Sequence, residues 1–182
     1  AYLGVMGPQD GVDLALRAMA HIVHDRGRTD IGLTLVGDGD AGPELRALAK
    51  ELRLEPYVHF TGRVPDAEVA ALLSTADIGL SPDPRNPLND VSTMNKTMEY
   101  MAFELPVVAS DLVETRVSAG DAAAYATAND VAEYADVIVW LLDDEVRRKQ
   151  MAALGRRRVE DVLAWRHQIP AYVGVYDRLL GS

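Results

Sequence analysis

A short apolar run at residues 107–109 sets the first limit on the fold. The run lacks the polar–apolar alternation of a strand with one solvated face, so it predicts a strand buried on both faces, as in a parallel sheet. It follows Pro106, which ends a helical pattern whose apolar residues recur from Met94 to Ala102. A helix followed at once by a buried strand is typical of an open α/β sheet.

The same alternation of apolar strands and helical patterns runs through the chain. Strands are predicted at residues 2–6, 31–36, 57–60, 78–80, 107–109 and 122–126. Helices are predicted at residues 12–22, 43–52, 65–76, 92–102, 129–142, 143–162 and 169–180. This order predicts a Rossmann-like α/β fold: a doubly wound parallel sheet of about six strands with a helical C-terminal tail. We therefore expect residues 1–182 to form a single domain.

The composition limits the class of protein and its partners. Hydrophobic residues at 48% and charged residues at 25% are ordinary for a soluble globular protein. The net charge of −10 argues against a nucleic-acid partner, and the basic run at residues 156–158 is predicted to be a solvated helix face. Neither a membrane-length apolar run nor a secretory signal is visible, so we expect a cytoplasmic location. The chain starts inside an apolar run without an initiator methionine, which indicates a piece of a longer protein.

One glycine pattern matches the fingerprint of dinucleotide-binding proteins. Residues 37–42 read G-x-G-x-x-G between a predicted strand and a predicted helix. However, Asp38 and Asp40 place carboxylates where a pyrophosphate would lie, and the fingerprint belongs after the first strand of its unit. The pattern therefore favours a tight glycine turn, and NAD binding is the lesser interpretation.

The loop before the predicted helix at residues 92–102 offers a better ligand site. Ligands of open α/β sheets bind beyond the carboxyl ends of the strands, where Ser92 would begin the helix. The backbone N–H groups of Thr93, Met94 and Asn95 would then point into the crevice. Lys96 lies in the first turn, where the helix dipole disfavours a cation, which suggests an anionic ligand. An ordinary exposed lysine explains its position equally well.

Glu99 is the second candidate of this helix. A carboxylate at the edge of an apolar helix face requires a donor, such as the hydroxyl groups of a ligand. The alternative donor is Lys96, three residues earlier. The four histidines are scattered and lack the carboxylate pattern of a zinc site, so we predict neither a metal ion nor a cofactor. No serine lies in a nucleophile context, and no catalytic residue is assigned.

The order of five short motifs resembles a known family. They are LVGDG at 35–39, FTGRV at 60–64, ADIGLSP at 76–82, MEYMA at 98–102 and PVVAS at 106–110. Over nearly the whole chain this order resembles the C-terminal half of GT-B glycosyltransferases, specifically glycosyltransferase family 4 (group 1). The resemblance implies the donor-binding half of a retaining, metal-independent enzyme that moves a sugar from a nucleotide diphosphate sugar to an acceptor. The acceptor would bind to an N-terminal domain outside this sequence.

The resemblance also implies roles for individual residues. Glu99 matches the second glutamate of the family's E-x7-E motif, which holds the ribose hydroxyls of the donor. Met94 and Asn95 match the positions whose backbone amides hold the diphosphate. Arg63 and Val64 match the loop beside the nucleobase.

Three positions depart from the family pattern. The first glutamate of the motif, which contacts the donor sugar in the family, falls at Val91, and Asp90 next to it is a candidate for the missing contact. The usual arginine after the first strand falls at Val5, and the usual phosphate-binding lysine falls at Asp10. Two cations are thus missing from the diphosphate site, and Lys96, as in the family's K-x-x-E-Y variant, would supply one of them.

Two further expectations follow from the resemblance. Residues 165–182 match the family's last helix, which packs towards the N-terminal domain, so the isolated chain should fold without transferring sugar. Two alternatives stay open. One is a non-hydrolysing nucleotide-sugar 2-epimerase of the same fold, although the sequence shows no convincing set of the catalytic carboxylates and histidine that it would need. The other is a non-catalytic Rossmann-like nucleotide-binding module, which the three departures from the family pattern keep open.

Overall fold

The computed structural model describes residues 1–181 as strands alternating with helices. The strands are β1 (Tyr2–Leu3), β2 (Leu33–Val36), β3 (Val58–Gly62), β4 (Gly79–Ser81), β5 (Val107–Ser110) and β6 (Ala123–Ala126). The helices are α1 (Val12–Ala20), α2 (Gly42–Glu51), α3 (Asp66–Thr75), α4 (Asn95–Ala102), α5 (Val113–Ala119), α6 (Val131–Asp143), α7 (Glu145–Arg158) and α8 (Trp165–Leu180). The predicted α/β class with six strands is confirmed.

The strands form two parallel sheets that meet edge to edge. Their orders are β1-β2-β3 and β4-β5-β6. The sheets meet at Ala1, whose nitrogen donates a 2.7 Å hydrogen bond to the carbonyl oxygen of Ile78 and whose carbonyl accepts one of 2.8 Å from the Leu80 nitrogen. β1 therefore lies beside β4, and the strand order reverses between them. Open α/β sheets bind ligands at the carboxyl ends of the strands at such a reversal.

Helices cover both faces of the sheets. One apolar core joins α1, α2 and α6 to β2 and β5, and it includes the fully buried Leu35 and Val108. A second core joins α3, α4 and α5 to the other face of β5, with Val107 and Ala109 at its centre. Side chains of β5 are thus buried on both faces, as their unbroken apolar sequence predicts.

Helix α5 lies where no helix was predicted. Its buried residues are Thr115, Ser118 and Ala119, whereas Val113 and Val117 are exposed. Polar residues thus lie on the buried face and valines on the exposed face, the reverse of an ordinary amphipathic helix. Hydrophobic periodicity therefore gives no signal for this helix. The hydroxyl oxygen of Thr115 is buried without a hydrogen-bond partner.

Four predicted boundaries are wrong by three or more residues. Strand β1 ends at Leu3 instead of residue 6, and helix α8 begins at Trp165 instead of residue 169. Helix α4 begins at Asn95 instead of Ser92, because a 3-10 turn at Asn89–Val91 and three extended or irregular residues precede it. The predicted helix at 143–162 ends as α7 at Arg158, followed by a π turn at Val159–Leu163 and then by α8.

The basic run at the end of α7 is only partly a solvated face. The guanidinium of Arg156 donates to the carbonyl oxygen of Ala102 at the end of α4, at 2.6 Å. Arg158 donates to the carbonyl oxygens of Val117 and Ser118 at the end of α5, both at 2.6 Å. Arg157 is exposed and makes no hydrogen bond or ion pair with the described residues. Two of the three arginines therefore satisfy unpaired carbonyls at helix ends.

Helix α8 carries an apolar stripe without a partner in the described part of the chain. None of its residues is buried. The stripe consists of Trp165, Ile169, Tyr172, Val173, Tyr176 and Leu180, which are all at least 43% exposed. Across residues 1–181, no helix combines the length and apolar character that crossing a membrane requires.

Candidate functional site

A cleft of about 430 Å³ opens at the carboxyl ends of β1, β2 and β3. The backbone of Gly4 and Gly37 forms part of it, and the side chains of Arg63, Val64 and Glu99 line it. The structure therefore brings together three predicted site residues from two distant segments, the loop after β3 and helix α4. Their role in binding a ligand stays a prediction.

The glycine turn after β2 serves backbone packing beside this cleft. Gly37 has φ +122°, and a Cβ atom there would lie 2.0 Å from the carbonyl oxygen of Gly4. A Cβ at Gly39 would lie 2.6 Å from the carbonyl oxygen of Met6. Side chains at either position would separate the loops that follow β1 and β2. The interpretation of this pattern as a tight glycine turn is confirmed.

Three of the four charged side chains of the cleft are free of partners among the described residues, and the fourth, Asp38, accepts a hydrogen bond of 2.9 Å from the backbone nitrogen of Gly39. Glu99 and Arg63 are exposed, and neither makes a hydrogen bond or ion pair with any described residue. Asp66, at the start of α3, is exposed and equally unpaired. The alternative pairing of Glu99 with Lys96 is therefore wrong. The Glu99 carboxylate is available to accept hydrogen bonds from a ligand, while sequence reasoning missed Asp66 as a lining residue.

Lys96 is buried. The alternative interpretation of this residue as an ordinary exposed lysine is therefore wrong. Its side chain is 8% exposed, and its Nζ donates to Oδ1 of Asp83 at 2.5 Å. The Asp83 side chain is 2% exposed. A second carboxylate, Oδ1 of Asp10, lies 3.8 Å from the same Nζ. The cation disfavoured by the helix dipole is thus held by two acidic side chains from other loops.

Further polar contacts fix this buried pair. The second oxygen of Asp83 accepts a 2.7 Å hydrogen bond from Ser81 Oγ, so both oxygens of the carboxylate are satisfied. The ring of Tyr2 lies 5.4 Å from Nζ of Lys96. Burial, and then the nearby charges of Asp10 and Asp83, raise the pKa of Tyr2 well above its usual range. Its phenol stays protonated and donates to the carbonyl oxygen of Val5 at 2.7 Å.

The start of α4 leaves two backbone N–H groups free of helical partners. Ser92 and Thr93 do not cap the helix, because Ser92 Oγ donates to the Leu88 carbonyl and Thr93 Oγ1 donates to Glu114. Met94 is the extended N-cap residue without a side-chain cap, and Asn95 begins the helix. The N–H groups of Asn95 and Lys96 therefore have no acceptor inside the helix. Such groups and the helix dipole favour an anion.

Asp90 lies apart from the cleft, in the 3-10 turn before α4. Its nearest cation is Arg85, with Nε 3.8 Å from Oδ1. The turn is held by Asn89, whose Nδ2 donates to the carbonyl oxygens of Gln9 and Pro84 at 2.9 and 2.8 Å. Asp90 does not line the same cleft as Glu99.

The loop after β1 packs directly on the loop after β4. Gly11 has φ +68°, and a Cβ there would lie 2.1 Å from the carbonyl oxygen of Pro82. Within the first loop, Oδ2 of Asp10 accepts a hydrogen bond of 2.9 Å from the backbone nitrogen of Gly7. The two acidic partners of Lys96 thus come from loops that touch each other.

A second cavity, of about 380 Å³, lies at the opposite, amino edge of the strands. Its charged groups are already satisfied: Arg28 is bound to Asp30 and Asp143, and Arg148 donates to main-chain carbonyls at the end of α6. Leu33 and Ile138 contribute apolar side chains to its wall. Both arginines of this cavity are therefore already bound by the protein, whereas Arg63 and Glu99 in the cleft at the carboxyl edge are not.

A family model described as "Glycosyl transferases group 1" matches residues 1–144. The chain belongs to the group 1 glycosyltransferases. This relationship confirms the resemblance that its motif order indicates.

Curated relatives of this group 1 chain are longer than the chain itself. It is 29% identical over 175 residues to MMP alpha-(1->4)-mannosyltransferase of Mycolicibacterium hassiacum, covering 92% of this chain and 41% of the relative. It is 31% identical over 165 residues to GDP-mannose-dependent monoacylated alpha-(1-6)-phosphatidylinositol monomannoside mannosyltransferase of Corynebacterium glutamicum, covering 87% of this chain and 41% of the relative. The chain thus spans about two fifths of each relative.

A solved structure shares the fold. HepE of Anabaena, crystallised in complex with UDP, aligns with a TM-score of 0.74 and 21% identity, over 96% of this group 1 chain and 48% of HepE. At this identity the likeness establishes the fold alone.

Proposed function

We propose that this chain binds the nucleotide diphosphate sugar of a glycosyltransferase, with the nucleoside in the cleft at the ends of β1–β3. The observation that carries the proposal is Glu99. Its exposed carboxylate has no partner among the described residues, and it lines a cleft where glycine backbone admits close approach. Vicinal ribose hydroxyls supply two adjacent donors to such a carboxylate, and hydrogen bonds to charged acceptors are the stronger kind.

The other predicted residues take roles around Glu99. Arg63 and Val64 flank the nucleobase from the loop after β3. The free N–H groups at the start of α4, at Asn95 and Lys96, with Met94 before them, receive the diphosphate. The preceding Ser92 and Thr93 shape this loop, and Asp90, outside the cleft, is the remaining candidate for the donor sugar.

The names of two similar proteins support a nucleotide sugar as the ligand. The Corynebacterium glutamicum relative is named as GDP-mannose-dependent, and HepE was crystallised with UDP. In this proposal the reaction is retaining and metal-independent, as in the family that the motifs resemble. The sugar acceptor binds to another domain, and the exposed apolar stripe of α8 packs towards that domain.

Calorimetry with a panel of UDP, GDP, ADP and their sugars tests the proposal. At least one diphosphate should bind, and Glu99→Gln should weaken it by about 1.5–3 kcal/mol, the range for a hydrogen bond to a charged group. The matching 2′,3′-dideoxy nucleotide should bind both proteins alike. Equal losses for both nucleotides would assign Glu99 a structural role and overturn the ribose contact.

The same panel separates a donor-binding half from a complete enzyme. Product assays with the nucleotide sugar that binds best should show binding without transfer. Turnover of any nucleotide sugar by the 182-residue chain would contradict the assignment of the acceptor to another domain.

A further inference from the structure

The carboxylate of Asp10 is bound by the same kinds of group that bind a phosphate. Its Oδ2 accepts a hydrogen bond of 2.9 Å from the backbone nitrogen of Gly7. Its Oδ1 lies 3.8 Å from Nζ of Lys96. A main-chain N–H and an ammonium group are common ligands of phosphate oxygens. The Asp10 carboxylate thus already occupies the hydrogen-bond donors, the Gly7 N–H and the Lys96 ammonium, that a phosphate would use near the start of α4.

The charge balance at this position is unfavourable for a ligand anion. Asp83 neutralises Lys96 at 2.5 Å, so the positive charge is already paired inside the protein. Asp10 then leaves the three side chains with one formal negative charge in excess. Its side chain is 19% exposed, against 8% for Lys96 and 2% for Asp83, so Asp10 lies on the solvent side of the buried pair. A diphosphate that approaches Lys96 meets this carboxylate first.

We propose that Asp10 is an internal competitor of the donor's diphosphate and thereby sets the affinity of the site for phosphate-bearing ligands. This inference rests on the proposed function. Asp83 alone suffices to hold Lys96, since it is closer and more deeply buried, so Asp10 is dispensable as its partner. Binding of a diphosphate displaces Asp10 from Gly7 and Lys96, because two anions at one cation repel each other at a cost that water screens only in part.

The substitution Asp10→Asn isolates the charge. Asparagine has nearly the same shape, and its carbonyl oxygen can still accept the hydrogen bond from Gly7, so the loop after β1 keeps its turn. Asp13→Asn is the matched control. Asp13 is exposed in the first turn of α1, makes no contact with Lys96, and its removal changes the net charge by the same amount.

The experiment is calorimetric titration of wild type, Asp10→Asn and Asp13→Asn with GDP, UDP, guanosine and uridine. We expect Asp10→Asn to tighten binding of the diphosphate that binds wild type by about tenfold, which corresponds to about 1.4 kcal/mol. Nucleoside affinity and the control variant should be unchanged. The gain should shrink between low and moderate salt, because ions screen charges near the surface.

Three results would count against the inference. Equal or weaker diphosphate binding by Asp10→Asn would overturn it and make Asp10 a cap of its loop or a positioning group for Lys96. Equal tightening by Asp13→Asn would assign the effect to net charge. If no protein bound any nucleotide or nucleoside, the proposed function would fall, and this inference with it. Thermal unfolding, and the second variant Asp10→Ser, verify that a changed affinity does not arise from a misfolded loop.

Discussion

Lys96 and Glu99 lie within one turn of the same short helix, yet the structure uses their charges in opposite ways. Glu99 faces the open ends of β1–β3, where it is exposed and without a protein partner. Lys96 faces the ends of β4 and β1, where Asp83 and Asp10 surround it below the surface. An exposed, unpaired charge costs the fold little and is available to a ligand, whereas a buried, paired charge is part of the fold.

The largest effect should follow from breaking the buried pair. Lys96→Met leaves the carboxylate of Asp83 buried without its cation, so we expect a loss of about 3–5 kcal/mol in the free energy of unfolding. The helix dipole alone predicts the opposite, a variant as stable as wild type or slightly more stable. Urea denaturation decides between them. The double variant Lys96→Met, Asp83→Leu should recover much of the loss, and an unchanged single variant would show that the pair does not stabilise the fold.

The next largest effect should come from the contact between the two sheets. The buried hydroxyl of Tyr100 donates to the carbonyl of Leu80 in β4 at 3.0 Å and accepts from the nitrogen of Leu3 in β1 at 2.7 Å. Tyr100→Phe leaves both backbone groups unsatisfied, which should cost about 1–3 kcal/mol of unfolding free energy. Tyr57→Phe is the control, since the Tyr57 hydroxyl makes no hydrogen bond to a described residue. Equal losses of unfolding free energy in the two variants would show that the Tyr100 hydroxyl does not stabilise the contact between the sheets.

A smaller effect should distinguish two neighbouring arginines. Arg158 binds the carbonyls of Val117 and Ser118 at the end of α5, while Arg157 is exposed and unpaired. Arg158→Met should therefore lower the unfolding free energy by about 1–2 kcal/mol, since it removes hydrogen bonds and a favourable charge at a helix C-terminus. Arg157→Met should be nearly neutral. Thermal unfolding of both variants checks the difference. Identical unfolding midpoints would show that the contacts of Arg158 do not stabilise the fold and would support the prediction of a solvated basic face.

The smallest effect completes the comparison on α4. Glu99→Gln should change the unfolding free energy by no more than about 0.5 kcal/mol, because the side chain is exposed and without a partner. The same urea titration as for Lys96→Met makes the two values directly comparable. A loss of unfolding free energy as large as that of Lys96→Met would show that Glu99 stabilises the fold, as Lys96 does.

Regular, local signals made most of the fold predictable. The unbroken apolar run of β5 and the periodic face of α1 are properties of neighbouring residues, and both elements lie within a few residues of their predicted bounds. Helix α5 escaped prediction because its buried face is polar. Its position could be inferred only from the rule that a helix usually connects two neighbouring parallel strands, here β5 and β6, and covers a face of the sheet.

The site residues also differ in whether local sequence signals predict them. Arg63, Val64 and Glu99 belong to motifs whose order is visible in the sequence, and the structure places them in one cleft. The partners of Lys96 gave no local signal, because Asp83 and Asp10 are 13 and 86 residues away and meet it only through the packing of two loops. The one hint is the acidic residue at position 10, where the resembling family carries a lysine.

The close approach of Gly37 to Gly4 decides which parts of the cleft an engineer could change. A Cβ atom at Gly37 would lie 2.0 Å from the carbonyl oxygen of Gly4, and one at Gly4, where φ is +152°, would lie 3.1 Å from the hydroxyl of Tyr2. Under the proposed function, neither glycine therefore offers a route to a new base preference. Val5, Val64 and Asp66 also line the cleft but are partly or fully exposed. A library aimed at altered nucleotide choice would therefore vary these three positions and keep the glycine backbone as an invariant frame.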